Sequence, residues 1–221
     1  MKQSNPILII FSFLFLTSCT FQNKESESHK IKFKAQPFAL DQVELLDGPF
    51  KQATELDERT LLNYCPDRFL ALFRKEAGLT PKAENYRGWE EETIAGHSLG
   101  HYLSACSQMY LTTGNVEFLQ RVSYMVDELD SCQKEKGTGY IGASANADKL
   151  FEEEISKGNI RSKGFDLNGI WAPFYTQHKV LAGLIDAYKL TGNKKLAITP
   201  INPARKVPIA YRRIIVFIFV C

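Results

Sequence analysis

Two histidines four residues apart, His97 and His101, stand behind Trp89, Glu90, Glu91 and Glu92 in the segment NYRGWEEETIAGHSLGHYLSA (85–105). On a helix this spacing puts both imidazoles on one face, where they can share a ligand. Three chemistries compete for it. A zinc hydrolase uses two histidines at this interval, but Ser98 occupies the place of its glutamate base and no third ligand is evident. Satisfied structural histidines are the second reading, since Gly96 and Gly100 mark a helix with close neighbours. The third is sugar contact, in which imidazoles hydrogen-bond hydroxyls and the Trp89 indole offers a flat face to a ring.

A second cluster, GTGYIGAS (137–144), presents Tyr140 between glycines in a loop, either as a binding element or as a plain connector. A third, NGIWAPFYTQHKVLAGL (168–184), gathers Trp171, Phe174, Tyr175, Gln177 and His178 around a helix start with Pro173 in its first turn. Aromatic faces beside amide and imidazole donors suit carbohydrate, which has apolar C–H faces and many hydroxyls; core packing is the competing reading. Glycoside cleavage needs two groups flanking the bond. The carboxylates Glu90, Glu91, Glu92, Asp148, Glu152, Glu153, Glu154 and Asp166 supply candidates, none singled out by its surroundings, and the run 152–154 reads as a solvated helix face.

The elements that must position these groups are helical. Apolar residues recur at three- and four-residue intervals over 50–64, 67–76, 94–112, 116–134 and 171–190, whereas PFALDQVELLDGPF (37–50) alternates and predicts one short N-terminal strand. The fold class expected is all-α. LSACSQMYLTTGN (103–115) and LAGLIDAYKLTGN (181–193) echo one another, with small residues mid-helix and a Thr-Gly-Asn stop. Gly114 and Gly192 suit helix C-caps and the asparagines suit the next N-cap, the pattern of stacked helical hairpins in a solenoid or a closed toroid.

The chain has 221 residues, 44% hydrophobic and 24% charged, with a formal net charge of +2, which gives no field to attract nucleic acid. Lys2 precedes the apolar run 7–16, which is short for a membrane span and leads into Leu16-Thr17-Ser18-Cys19. Residues 1–19 therefore read as a lipoprotein signal peptide with lipidation at Cys19, followed by a polar tether over 20–36, the competing reading being an ordinary signal peptide with an incidental cysteine. That predicts export to the cell envelope of a Gram-negative bacterium, on either the periplasmic or the outer-membrane side, with a membrane contact through the lipid anchor. Cys65, Cys106, Cys132 and Cys221 match neither a zinc ribbon nor a thioredoxin-type pair and read as buried thiols. The prolines at 200, 203 and 208 break the helix beginning at 194, so 198–221 reads as an aberrant, out-of-frame tail.

VELLDGPF (43–50), DRFLALFRKEAGL (67–79), GWEEETIAGHSLGHYLSA (88–105), GYIGA (139–143) and WAPFYTQHKVLAGLIDAYKLTGN (171–193) together resemble the N-terminal region of the β-L-arabinofuranosidase-type glycoside hydrolases, families 127 and 146. The resemblance implies that 37–197 is the N-terminal part of an (α/α)6 toroid, in an exo-acting enzyme of plant-type glycans. It also implies a cysteine nucleophile in a zinc site of cysteines and a glutamate, with a second glutamate as acid/base, all in the later half of the toroid. No matching cysteine cluster stands here, so the chain itself is expected to hold no zinc, to carry no catalytic residue and to be inactive. Only pocket-lining residues carry over: His97, His101 and His178, with Trp89 and Tyr140 beside them. A non-catalytic carbohydrate-binding lipoprotein and another toroid enzyme, such as a polysaccharide lyase, are the alternatives.

Overall fold

The computed structural model describes residues 35–192. The signal peptide and lipidation at Cys19, nearly all of the tether, and the tail over 198–221 lie outside the described residues. Six α-helices and one small β-ribbon follow. Helices α1 (Pro49–Asn63) and α2 (Pro66–Glu76) each open on proline. Proline suits a first turn because its ring presets φ and its missing N–H would have had no partner there. α3 (His97–Thr113) and α4 (Val116–Lys136) are joined by two residues only. Gly114 ends α3 at φ 71°, where a side chain would be strained, and the Asn115 carboxamide accepts the Glu117 N–H at 3.0 Å to start α4. After α5 (Ala147–Lys149) a π turn and a 3-10 turn carry the chain to Lys157. Strands β1 (Ser162–Lys163), β2 (Asp166–Leu167) and β3 (Ile170–Trp171) then form an antiparallel ribbon in sequence order, and α6 (Pro173–Thr191) follows.

The all-α class is as the sequence implies, but the strand is not where the alternation put it. Residues 37–48 hold a single 3-10 turn, Leu40–Gln42, between extended stretches. Alternation favours a strand only where a neighbour takes up the ladder hydrogen bonds, and none does so here. The strands lie at 162–171 instead, where short side-chain-to-backbone bonds such as Gly169 N–H to Asp166 Oδ1, 2.9 Å, turn the chain back on itself.

α3 is the central element and packs against α1, α2, α4 and above all α6. Its Leu99, Leu103 and Cys106 meet Leu70 and Phe73 of α2, Phe118, Val122, Met125 and Leu129 of α4, and Val180, Leu184 and Ala187 of α6, all removed from solvent. Each large side chain in that set contributes roughly 1.5–3 kcal/mol by burial. α1 buries no residue completely. It is held by its end: Tyr102 donates to the Leu61 carbonyl at 2.9 Å, and Arg121 to those of Leu62 at 2.8 Å and Tyr64 at 2.7 Å. These are carbonyls that a helix C-terminus leaves without partners of its own.

Glycines set how closely α3 and α6 approach. A Cβ built on Gly100 would sit 2.1 Å from the Lys179 carbonyl oxygen, and one on Gly183 would sit 2.3 Å from that of Gly100. The two backbones therefore touch, which brings the first turns of α3 and α6, with their histidines and tyrosine, side by side. Among the described residues no helix is long and apolar enough to cross a membrane.

Candidate functional site

The entry into α3 is built around a buried carboxylate. Gly96, at φ 99°, is the N-cap of α3 and has no side chain to cap with. Glu90, from the 3-10 turn Gly88–Glu91, takes over: Oε2 accepts the Gly96 N–H at 2.7 Å and Oε1 the Ser98 N–H at 3.2 Å. Glu90 is itself buried, as is His97, whose Nδ1 lies 3.1 Å from Glu90 Oε1 and 3.0 Å from the Ile94 carbonyl oxygen. A carboxylate in this position satisfies N–H groups that a helix start leaves unpaired and places negative charge at its positive end.

Rings spread outward from His97. Trp89 lies 6.2 Å away between centroids, Tyr175 6.0 Å and His101 6.2 Å, and Trp89 meets Trp171 edge-on at 6.1 Å. His101 Nε2 and the Tyr175 hydroxyl are 3.4 Å apart, and the Lys179 ammonium sits 5.1 Å from the Tyr175 ring centroid. Two contacts fix the loops that bring these groups in. The Trp171 N–H donates to Thr93 Oγ1 at 2.8 Å, and the Ser144 hydroxyl donates to the Thr93 carbonyl. Trp89 is 65% exposed, Trp171 37% and Tyr175 41%, so the cluster presents indole and phenol faces to solvent above a buried imidazole.

Of the residues expected in the site, Trp89, His97 and His101 come together directly. His178, on the same helix as Tyr175, is exposed and near enough for its charge to act on His101. The His101 imidazole is held below its ordinary proton affinity by desolvation first, then by the charges of Lys179, His97 and His178. Tyr140 is 7% exposed, packed with Phe151, and accepts a hydrogen bond from the Gln177 amide at 3.2 Å. Tyr175 and Trp171 are as central as any expected residue; the sequence puts them in an aromatic run without distinguishing them from core.

The carboxylates flagged by sequence are mostly committed elsewhere. Asp148 pairs with Lys136 at 3.0 Å, Glu154 with Arg161 and Asn168, Asp166 with the Gly169 N–H, and Glu91 with the Gly88 N–H. The run 152–154 is thus not a purely solvated face. A groove of about 590 Å³ opens elsewhere, lined by Lys75, Lys82, Glu84, Arg87 and Glu91 among others, and excludes the histidines.

Of the thiols expected to be buried, Cys106 and Cys132 are, Cys65 lies exposed just before α2, and Cys221 lies outside the described residues. Burial pushes the Cys106 thiol up to about 12, against the opposing pull of its Tyr102 hydrogen bond, and pushes Cys132 up to about 11. Thiols held in that range stay protonated near neutral pH and are weak nucleophiles. Among the described residues no three His, Cys, Asp or Glu side chains are grouped to hold a metal ion. The zinc that the resemblance brings with it therefore finds no fit in these residues.

An all-α scaffold here shows solvent a face of indoles, phenol and imidazole, flat faces beside hydrogen-bonding groups of the kind a sugar can use. The family comparison makes that specific: the model of the β-L-arabinofuranosidase GH127 catalytic domain matches residues 42–202, and the chain belongs to that family. Carbohydrate is accordingly its substrate class. No curated protein matches the sequence.

Proposed function

We propose that this chain forms part of the sugar-binding wall of an exo-acting β-L-arabinofuranosidase-like hydrolase of plant-type glycans. The carrying observation is the continuous ring array from Trp171 through Trp89 and His97 to His101 and Tyr175. A furanose has one apolar face for an indole and several hydroxyls for imidazole and phenol, and this array offers both within a few ångströms. The helical hairpins suit an (α/α)6 toroid, whose inner ends would surround the sugar. Lipidation at Cys19 would hold the protein in the envelope of a Gram-negative bacterium, where released plant glycans are captured.

The chain itself is proposed to bind without turnover, because among the described residues no three His, Cys, Asp or Glu side chains are grouped to form the zinc-held thiolate that the resemblance implies. Titrating the purified 221-residue chain with L-arabinose while following tryptophan fluorescence tests the binding. Trp89→Ala and Trp171→Ala should each weaken it about tenfold, as expected for loss of one stacking face worth roughly 1.4 kcal/mol. Unchanged affinity in both variants, or hydrolysis of 4-nitrophenyl β-L-arabinofuranoside at an enzymatic rate, would overturn the reading. Incorporation of labelled palmitate that disappears in Cys19→Ala tests the anchor.

A further inference from the structure

Glu90 does more than close the end of a helix. Its Oε1 lies 3.1 Å from His97 Nδ1, and the Ile94 carbonyl oxygen lies 3.0 Å from the same nitrogen. A carbonyl oxygen can only accept, and both Glu90 oxygens are already accepting, from Gly96 N–H and Ser98 N–H. Nδ1 is therefore ringed by acceptors and must be the nitrogen that carries the hydrogen. Nε2 is left with a lone pair, and among the described residues its hydrogen-bond partner is the Ser98 hydroxyl at a long 3.4 Å. That is a weak bond, which a better donor can displace.

We propose that Glu90 is a positioning residue of the sugar site: beside the Ile94 carbonyl, which takes the Nδ1–H hydrogen bond, its carboxylate helps hold His97 as the Nδ1–H tautomer and so makes Nε2 an acceptor for a ligand hydroxyl. The proposal rests on the sugar-wall reading of the cluster and adds the direction of one hydrogen bond. The ligand group facing His97 is a hydroxyl that donates, not a carbonyl or an ether oxygen that only accepts. Specificity follows, because a sugar lacking that hydroxyl, or carrying it as an ether, would leave Nε2 with no better donor than the long Ser98 contact.

The test reads the ring directly. In the full chain labelled with 15N-histidine, at a pH above the imidazole range, the His97 nitrogens should report hydrogen on Nδ1 and a bare Nε2. An Nε2–H signal in the wild-type chain overturns the proposal without any variant. Glu90→Gln offers one acceptor where three donors converge and can turn an amide N–H toward Nδ1, leaving only the Ile94 carbonyl to hold the tautomer, so the Nδ1–H population of His97 should fall measurably below the wild type, with His178 serving as the internal reference. A folded Glu90→Gln chain with the wild-type pattern at His97 would reduce Glu90 to a helix cap and likewise overturn the proposal. Adding L-arabinose separates this from the parent reading: ring signals that ignore the sugar while the tautomer depends on Glu90 sink the pocket and leave the positioning role standing.

Discussion

Replacing Gly100 by alanine sets two effects of opposite sign against each other. Gly100 lies inside α3, so on helix propensity alone alanine should stabilise by about 1 kcal/mol. The new methyl would however sit 2.1 Å from the Lys179 carbonyl oxygen of α6, and a backbone atom cannot rotate aside. Relief requires α3 and α6 to part by roughly 1 Å along a contact that also carries Leu99, Leu103, Val180 and Leu184, an overpacking cost of about 3 kcal/mol or more. The clash wins, and the expected net loss is about 2 kcal/mol, which for a chain of this size lowers the thermal midpoint by roughly 6 °C. Thermal unfolding followed by tryptophan fluorescence reads it, because the two tryptophans, Trp89 and Trp171, both stand at the site. Gly183→Ala, whose methyl would lie 2.3 Å from the Gly100 carbonyl oxygen, should behave alike. Since both enlarge one contact, the double variant should cost at least 1 kcal/mol less than the two singles together. A Gly100→Ala chain that melts at or above the wild type would refute the close approach and with it the juxtaposition of His101 and Tyr175.

Arg121→Ala strips two carbonyl partners from the end of α1 and leaves Tyr102 to hold it, so a loss of about 2 kcal/mol is expected in denaturant unfolding, with little change in arabinose binding. Brief alkylation of the native chain should label Cys65 and spare Cys106 and Cys132 until denaturant is added, which peptide mass mapping will show. His101 should titrate below the ordinary imidazole value of 6.5 by NMR, and Lys179→Met should move it back upward. The folded chain then binds this proton less readily than the unfolded one. The stabilising contribution of His101 is therefore complete above 6.5 and declines as pH falls through that value toward the depressed one.

Most of the helical frame can be read from apolar spacing, because α2, α3, α4 and α6 bury one stripe each and the period survives in the sequence. Gly114 and Gly192 are equally legible, as a left-handed C-cap is a local demand on a local residue. Pairing is not local, which is why the alternation at 37–50 suggests a strand that no neighbour completes. For the same reason the ribbon at 162–171 goes unannounced. In the site, the four-residue interval of His97 and His101 reveals a shared face. The part played by Glu90 does not show, since its hydrogen bonds reach six and eight residues ahead, outside the three-residue spacing by which capping boxes are recognised. Tyr140 misleads for the opposite reason: a tyrosine flanked by glycines reads as exposed, yet these glycines let the loop fold its ring inward, where a Cβ on Gly142 would lie 2.3 Å from the Tyr140 hydroxyl oxygen.

Just before α6 the backbone turns through left-handed conformations at Asn168, Gly169 and Ala172, with φ of 52°, 89° and 45°. Alanine at such an angle carries a conformational cost that its surroundings must override. Trp171 lies immediately beside it, its N–H already spoken for by Thr93. Under the proposed function, the backbone that carries this indole is ordered once, when the chain folds, and that part of the ordering entropy is not charged again at each encounter with a ligand.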